Sequence, residues 1–141
     1  MADPDPRRGG TRAITSLNNA SVKAIRALRM RKVRRGKTYH VILVDPPKFG
    51  RGPAGEIWDI FEHLAQLLRD CSLLLAGRAG LVLTTYAIRT SALAAGALVD
   101  ECLRARPGRL ETGELAIIEQ SGGRLLSTSL YARWATRDDR A

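Results

Sequence analysis

The stretch Val41-Ile42-Leu43-Val44-Asp45-Pro46-Pro47-Lys48-Phe49 decides how this chain is read. Its first four residues are a continuous apolar run without alternation, the pattern of a strand buried on both faces, as in a parallel sheet. Tyr39 and His40 extend that strand to residues 39–44. Asp45-Pro46-Pro47 then ends it, because a proline nitrogen has no hydrogen for a ladder. A strand that stops at an acid and two prolines holds a carboxylate and neighbouring carbonyls in one orientation.

Downstream, a Gly/Pro-rich loop is expected to Gly55. Ile57, Ile60, Phe61, Leu64, Leu67, Leu68 and Leu75 then recur at helical spacing, and Gly77 and Gly80 close that segment. Leu81 to Thr85 reads as a second buried strand. Ser91 is a plausible N-cap for a helix through Leu93, Ala97, Leu98, Cys102 and Leu103, stopped near Pro107-Gly108. An apolar stretch within Leu110–Glu119, the turn Ser121-Gly122-Gly123 and the strand Leu125–Trp134 make a β-hairpin. The order is β-α-β-α-β-β. Short buried strands alternating with helices imply an α/β sheet with right-handed crossovers, and ligands of such sheets sit beyond the carboxyl ends of the strands. Asp45 to Phe49 and Thr84 to Arg89 lie at those ends.

Upstream the character changes. Residues 1–38 hold eleven Lys/Arg against two Asp, while residues 39–141 hold twelve of each sign, so the whole +9 excess lies in the first quarter. Residues 1–13 read as a disordered tail and 14–38 as a basic helical arm ended at Gly36, with a short tail again at 136–141. Val22, Ile25 and Leu28 fall on one face of the arm. Lys23, Arg26, Arg29, Arg31, Lys32, Arg34 and Arg35 fill much of the rest and suit contact with RNA phosphates. Without interleaved aromatics the arm has no base-stacking platform, so binding by it is expected to be poorly sequence-selective. A solvated basic helix without a dedicated partner is the alternative.

The chain has 141 residues, 45% of them hydrophobic but only 5% aromatic, which places a core of Leu, Val, Ile and Ala in one modest domain. No apolar run is long enough to span a bilayer, and Met1 to Arg12 lacks a secretory apolar region, so a soluble cytoplasmic protein is expected. Cys71 and Cys102 lie far apart without metal-ligand spacing and read as reduced, buried thiols. No His/Cys/Asp constellation suggests a metal. His40 and His63 read as strand-end and helix-surface residues, and Glu62 and Glu119 have no acid/base partner at useful spacing.

Asp45-Pro46-Pro47-Lys48-Phe49 carries chemistry if an amine is the substrate. A nucleophilic exocyclic amine needs two acceptors to hold its hydrogens and aim its lone pair at a methyl donor. The Asp45 carboxylate and the Pro46 carbonyl can supply them, Phe49 can stack on the base, and Lys48 can meet phosphate. A Pro-rich strand-to-helix turn with an N-capping acid is the alternative.

Val41 to Trp58 resembles the fourth motif and following loop of class I, Rossmann-like methyltransferases that modify ribosomal RNA, and the resemblance runs through roughly residues 39–135. It implies a partial Rossmann-like sheet of two parallel units and a C-terminal antiparallel hairpin. It also implies S-adenosylmethionine as cofactor, RNA as substrate, and Asp45, Pro46, Pro47, Lys48 and Phe49 as catalytic residues. Thr84-Thr85-Tyr86 stands where some relatives carry a catalytic cysteine, so a base nitrogen is the expected target. Such enzymes hold the cofactor with a strand, a Gly-rich turn and a helix. Only 38 residues precede the motif strand and they contain no such turn, so that half is expected to be missing. No cofactor residue is assigned; Asp45 is the nearest candidate. Residues Ile14 to Arg35 resemble instead the opening of a knotted methyltransferase of the SpoU type, through Thr15, Ser16, Leu17, Asn19, Val22, Lys23 and Leu28. The two resemblances together suggest a truncated or fused chain, inactive alone. Val41–Val44 would then lie at an open sheet edge, covered by the basic helix or used for self-association or for a partner chain. A noncatalytic RNA-binding module is the second reading, and an interaction domain completing another subunit's sheet is the third.

Overall fold

The computed structural model describes residues 13–14, 38–52 and 55–137. Tyr39–Val44 forms strand β2 as its apolar run requires, and a two-residue strand, β1 (Ala13–Ile14), lies parallel beside it. Two three-residue strands follow, β3 (Phe49–Arg51) and β4 (Ile57–Asp59), paired antiparallel. Helix α1 spans Ile60–Ser72, β5 Leu75–Thr85, α2 Ala92–Leu103, β6 Gly108–Ile118 and β7 Leu125–Thr136. The main sheet has the order β1-β2-β5-β7-β6. β1, β2 and β5 are parallel, and β7 is inserted antiparallel between β5 and β6. The expected α/β sheet with a closing antiparallel hairpin is therefore present.

The helices start where side chains satisfy their first amides. Asp59 Oδ1 accepts from Phe61 N at 2.8 Å, and Ser91 Oγ accepts from Ala94 N at 3.1 Å, as expected for Ser91. α1 buries Ile60, Leu64, Leu67, Leu68 and Cys71 along one stripe. These residues join Ile42 and Val44 of β2, Leu81 and Leu83 of β5, Val99 and Leu103 of α2, and Ala132 and Trp134 of β7 in a single core.

Several boundaries correct the sequence reading. Ile57 belongs to β4 and the helix begins at Ile60, because Ile57–Asp59 pairs with Phe49–Arg51 before Asp59 caps α1. Leu75 is the first residue of β5, and Gly77 and Gly80 lie inside that strand. There Tyr39 pairs with Leu75 and Val41 with Gly80 across a register irregularity, so long-range pairing overrides the local breaker signal. β2 is not buried on both faces. Ile42 and Val44 are sealed, but Leu43 between them is 40% exposed, since the described helices cover one side of the sheet. Nor is β2 the edge: β1 pairs with Val41 and Ile42, so a strand from the N-terminal segment stands where an open edge was expected. That strand also crosses the boundary drawn between tail and arm.

No helix among the described residues is long and apolar enough to cross a membrane, and no group of three or more His, Cys, Asp or Glu there could hold a metal ion.

Candidate functional site

Asp45 follows the last residue of β2 and is half-buried, and Thr84 lies one residue before the end of the neighbouring β5. Because the two strands are parallel and in register from Ile42↔Leu81 to Val44↔Leu83, their carboxyl ends bring these side chains together. The Thr84 hydroxyl donates to Asp45 Oδ1 at 2.7 Å. One carboxylate oxygen is thus fixed, and no described side chain donates to the other.

Pro46 is buried and Pro47 half-buried. The Trp58 indole donates to the Pro47 carbonyl at 2.7 Å, and the Ile60 amide donates to the Lys48 carbonyl at 3.0 Å. Among the described residues nothing donates to the Pro46 carbonyl. The turn is thus clamped on its far side by β4 and α1 while the Pro46 carbonyl and the Asp45 carboxylate keep acceptor capacity. Trp58 is itself held by stacking on His63, ring centroids 5.5 Å apart. His63 is therefore half-buried support for the turn rather than a plain helix-surface residue, its Nδ1 lying 2.9 Å from the Asp59 carbonyl oxygen. Lys48 is exposed, and Phe49, on β3, keeps 54% of its surface open.

The loop after β5 carries a further mark. Ala87 has φ of 53°, a left-handed conformation that costs a residue with a Cβ about 1–2 kcal/mol. Strain of this kind persists only where surrounding structure fixes it, and it clusters at functional sites.

Neither cysteine reaches this region. Cys71 is buried in α1, where desolvation, and then the nearby Asp70 charge, push its thiol up to about 12. The half-buried Cys102, also raised chiefly by burial, points its sulfur to the Ala65 carbonyl at 3.5 Å. Both are free thiols unsuited to nucleophilic attack near neutral pH. Glu119 forms a two-point ion pair with Arg124, at 2.7 and 2.9 Å, that closes the β6–β7 turn. That contact holds Glu119 in its charged form, with a pKa below the usual carboxylate range.

The structure thus brings Asp45 and Pro46 together with Thr84, from the second strand end expected to meet a ligand, and with the unanticipated partner Trp58. Lys23, Arg26, Arg29, Arg31, Lys32, Arg34 and Arg35, and with them all of the second resemblance except Ile14, lie outside the described residues.

The chain superposes on a SAM-dependent methyltransferase from Agrobacterium tumefaciens with a TM-score of 0.72 and 45% sequence identity, over 79% of this chain and 37% of that one. The fold is that of the SAM-dependent methyltransferases. A protein of Streptococcus mutans described as a SAM-dependent methyltransferase aligns with a TM-score of 0.60 at 12% identity, over 79% of this chain and 29% of that one. The methyltransferase SMU.776, whose structure holds S-adenosylhomocysteine, aligns at 0.51 and 15%, over 78% and 29%. These last two show the fold alone. No family model matches the chain, and neither does any curated protein. The chain spans little more than a third of the length of the Agrobacterium protein.

Proposed function

We propose that this chain carries the acceptor side of an S-adenosylmethionine-dependent methyltransferase that modifies a base nitrogen in RNA, with ribosomal RNA as the expected substrate. The observation that carries the reading is the pair of acceptors at the carboxyl end of β2: an Asp45 carboxylate fixed by Thr84, beside a Pro46 carbonyl to which no described residue donates. Two acceptors on one side of an exocyclic amine hold both its hydrogens and leave the nitrogen lone pair directed away from them, toward the group to be accepted. The exposed Phe49 ring offers a face for the base, a contact worth about 1–3 kcal/mol. The cofactor supplies the electrophilic methyl group. Its methionine and ribose ends call for a helix N-terminus after a Gly-rich turn and for an acidic residue on the next strand. The described residues contain no such unit beside β2, so none is assigned to cofactor binding.

The test is transfer of labelled methyl from S-adenosylmethionine to ribosomal RNA by this chain completed with a cofactor-binding half, that of the Agrobacterium protein it resembles. The reading expects label in RNA from the completed protein and at least a hundredfold less from its Asp45→Ala variant. Label that Asp45→Ala leaves unchanged would overturn it.

The confinement of the +9 charge to residues 1–38 favours a second reading, a noncatalytic RNA-binding module. That reading expects RNA affinity that falls steeply with salt, is lost when Lys23, Arg26 and Arg29 are replaced together, and is untouched by Phe49→Ala.

A further inference from the structure

The chain holds two Phe, two Trp and three Tyr, and all seven lie among the described residues. Tyr39, Trp58 and Trp134 are buried, and the half-buried Tyr131 donates its hydroxyl to Glu111 at 2.8 Å. The three exposed rings are Phe49, Phe61, which is 65% exposed, and Tyr86, which is 52% exposed. All three stand at the carboxyl end of the sheet. Phe49 follows Lys48 and Phe61 follows Ile60, and the Ile60 amide donates to the Lys48 carbonyl at 3.0 Å, so the two rings flank one hydrogen bond. Tyr86 comes two residues after Thr84, whose hydroxyl holds Asp45. Large exposed apolar side chains elsewhere, such as Ile117, Ile118, Leu125 and Leu126 of the β6–β7 hairpin, are aliphatic.

Cations accompany these rings. Lys48, Arg51 and Arg89 lie on the same segments, are exposed, and have no ion-pair partner among the described residues. Of the acids there, Asp45, Glu56 and Asp59 are half-buried and Glu62 is exposed. Rings interleaved with open cations form the surface that holds a single strand, whose bases have free faces to stack and whose phosphates lie alongside. In a duplex those faces are already covered by neighbouring bases. The stacking platform that the basic arm lacks is therefore present beside the acceptor pair.

We infer that this end of the sheet binds its RNA as a single strand, with Phe61 and Tyr86 stacking bases next to the target base on Phe49. The inference rests on the reading of RNA as the substrate, and adds the form in which it is bound and two residues that select that form.

The test measures binding of the full chain to short single-stranded RNAs with adenine, guanine or cytosine at the centre, each intact and with every flanking base removed. The intact strand is expected to bind about a hundredfold more tightly, about tenfold for each ring. That ratio should fall about tenfold in Phe61→Ala and in Tyr86→Ala, fall likewise in Tyr86→Leu, and survive in Tyr86→Phe. Both positions are exposed, and circular dichroism checks that the variants fold. Phosphate contacts by the arm are common to both strands and cancel in the ratio. Asp45→Ala is expected to change the preference among central bases and to leave the ratio as it is, so the acceptor reading and this one fail separately. Duplexes of the same sequences should bind Tyr86→Ala as well as wild type. A ratio near one in the wild-type chain, a ratio that either alanine variant keeps, or a duplex weakened by Tyr86→Ala as much as the single strand would overturn the inference.

Discussion

The two ends of the sheet are built in opposite ways. At the amino end of β5, the Arg106 guanidinium donates to the carbonyls of Ser72 and Leu75, at 3.4 and 3.2 Å, and to that of Ala76. It also lies over the Trp134 ring, 6.0 Å from its centroid. Nearby, Thr136 Oγ1 accepts from the Ala79 amide at 3.2 Å. At the carboxyl end, no described residue donates to the Pro46 carbonyl, the Thr85 hydroxyl has no partner among the described residues, and Ala87 is left-handed. One end closes its polar groups on the protein itself; the other, among the described residues, does not. Proteins give up stability at functional sites and recover it in the scaffold, and here the two lie about one strand length apart.

That contrast can be broken or sharpened by substitution. The largest effect is expected for Asp45→Ala, which should lower methyl transfer by the completed protein at least a hundredfold while costing the chain only about 1 kcal/mol of stability, the value of its hydrogen bond with Thr84. Parallel denaturant titrations check the second half. Arg106→Ala should do the reverse, lowering stability by about 3 kcal/mol, because several partly buried carbonyls lose a charged donor at once. A neutral result there would dissolve the distinction between the ends.

At the open end, removing the unsatisfied features should stabilise the protein. Thr85→Val replaces an orphan hydroxyl with a methyl group and is expected to gain about 1 kcal/mol, as is Ala87→Gly, which releases the left-handed strain. Thermal unfolding of the two variants checks this. Absent at neutral pH, and so last, is an alkaline effect at the closed core. The Cys71 thiol ionises near 9.0 when unfolded and near 12 when folded, so stability from this group is intact below pH 9 and declines as pH rises from 9 toward 12. Cys71→Ala should flatten that alkaline decline in a pH series of denaturation curves.

What was legible in the sequence follows the same division. Strand β2, both helices and the β6–β7 hairpin announce themselves through local periodicity, capping residues and a Gly-Gly turn. The amino half of β5 does not, because Gly80 is a strand residue by virtue of pairing with Val41 and Ala135, and Gly77 falls in the irregularity between the Tyr39–Leu75 and Val41–Gly80 pairs. The β3–β4 hairpin is equally silent. Its strands are three residues each and are steadied by Trp58, which reaches the Pro47 carbonyl and stacks on His63. The acceptor residues were readable because proline and aspartate at a strand end restrict the backbone whatever surrounds them. Thr84 and Thr85 were readable as strand-end residues but not in their contacts: neighbours in sequence on opposite faces of β5, they meet the Asp45 carboxylate on one side and a cavity wall on the other.

The central claim is that the carboxyl end of β2 reads an exocyclic amine. The most direct measurement compares binding of short single-stranded RNAs that differ at one base only in carrying or lacking that amine: adenine against purine, guanine against hypoxanthine, and cytosine against 2-pyrimidinone. The account predicts that for one of these pairs the amine-bearing RNA binds about tenfold more tightly, and that Asp45→Ala erases the difference. Equal affinities within all three pairs would contradict it.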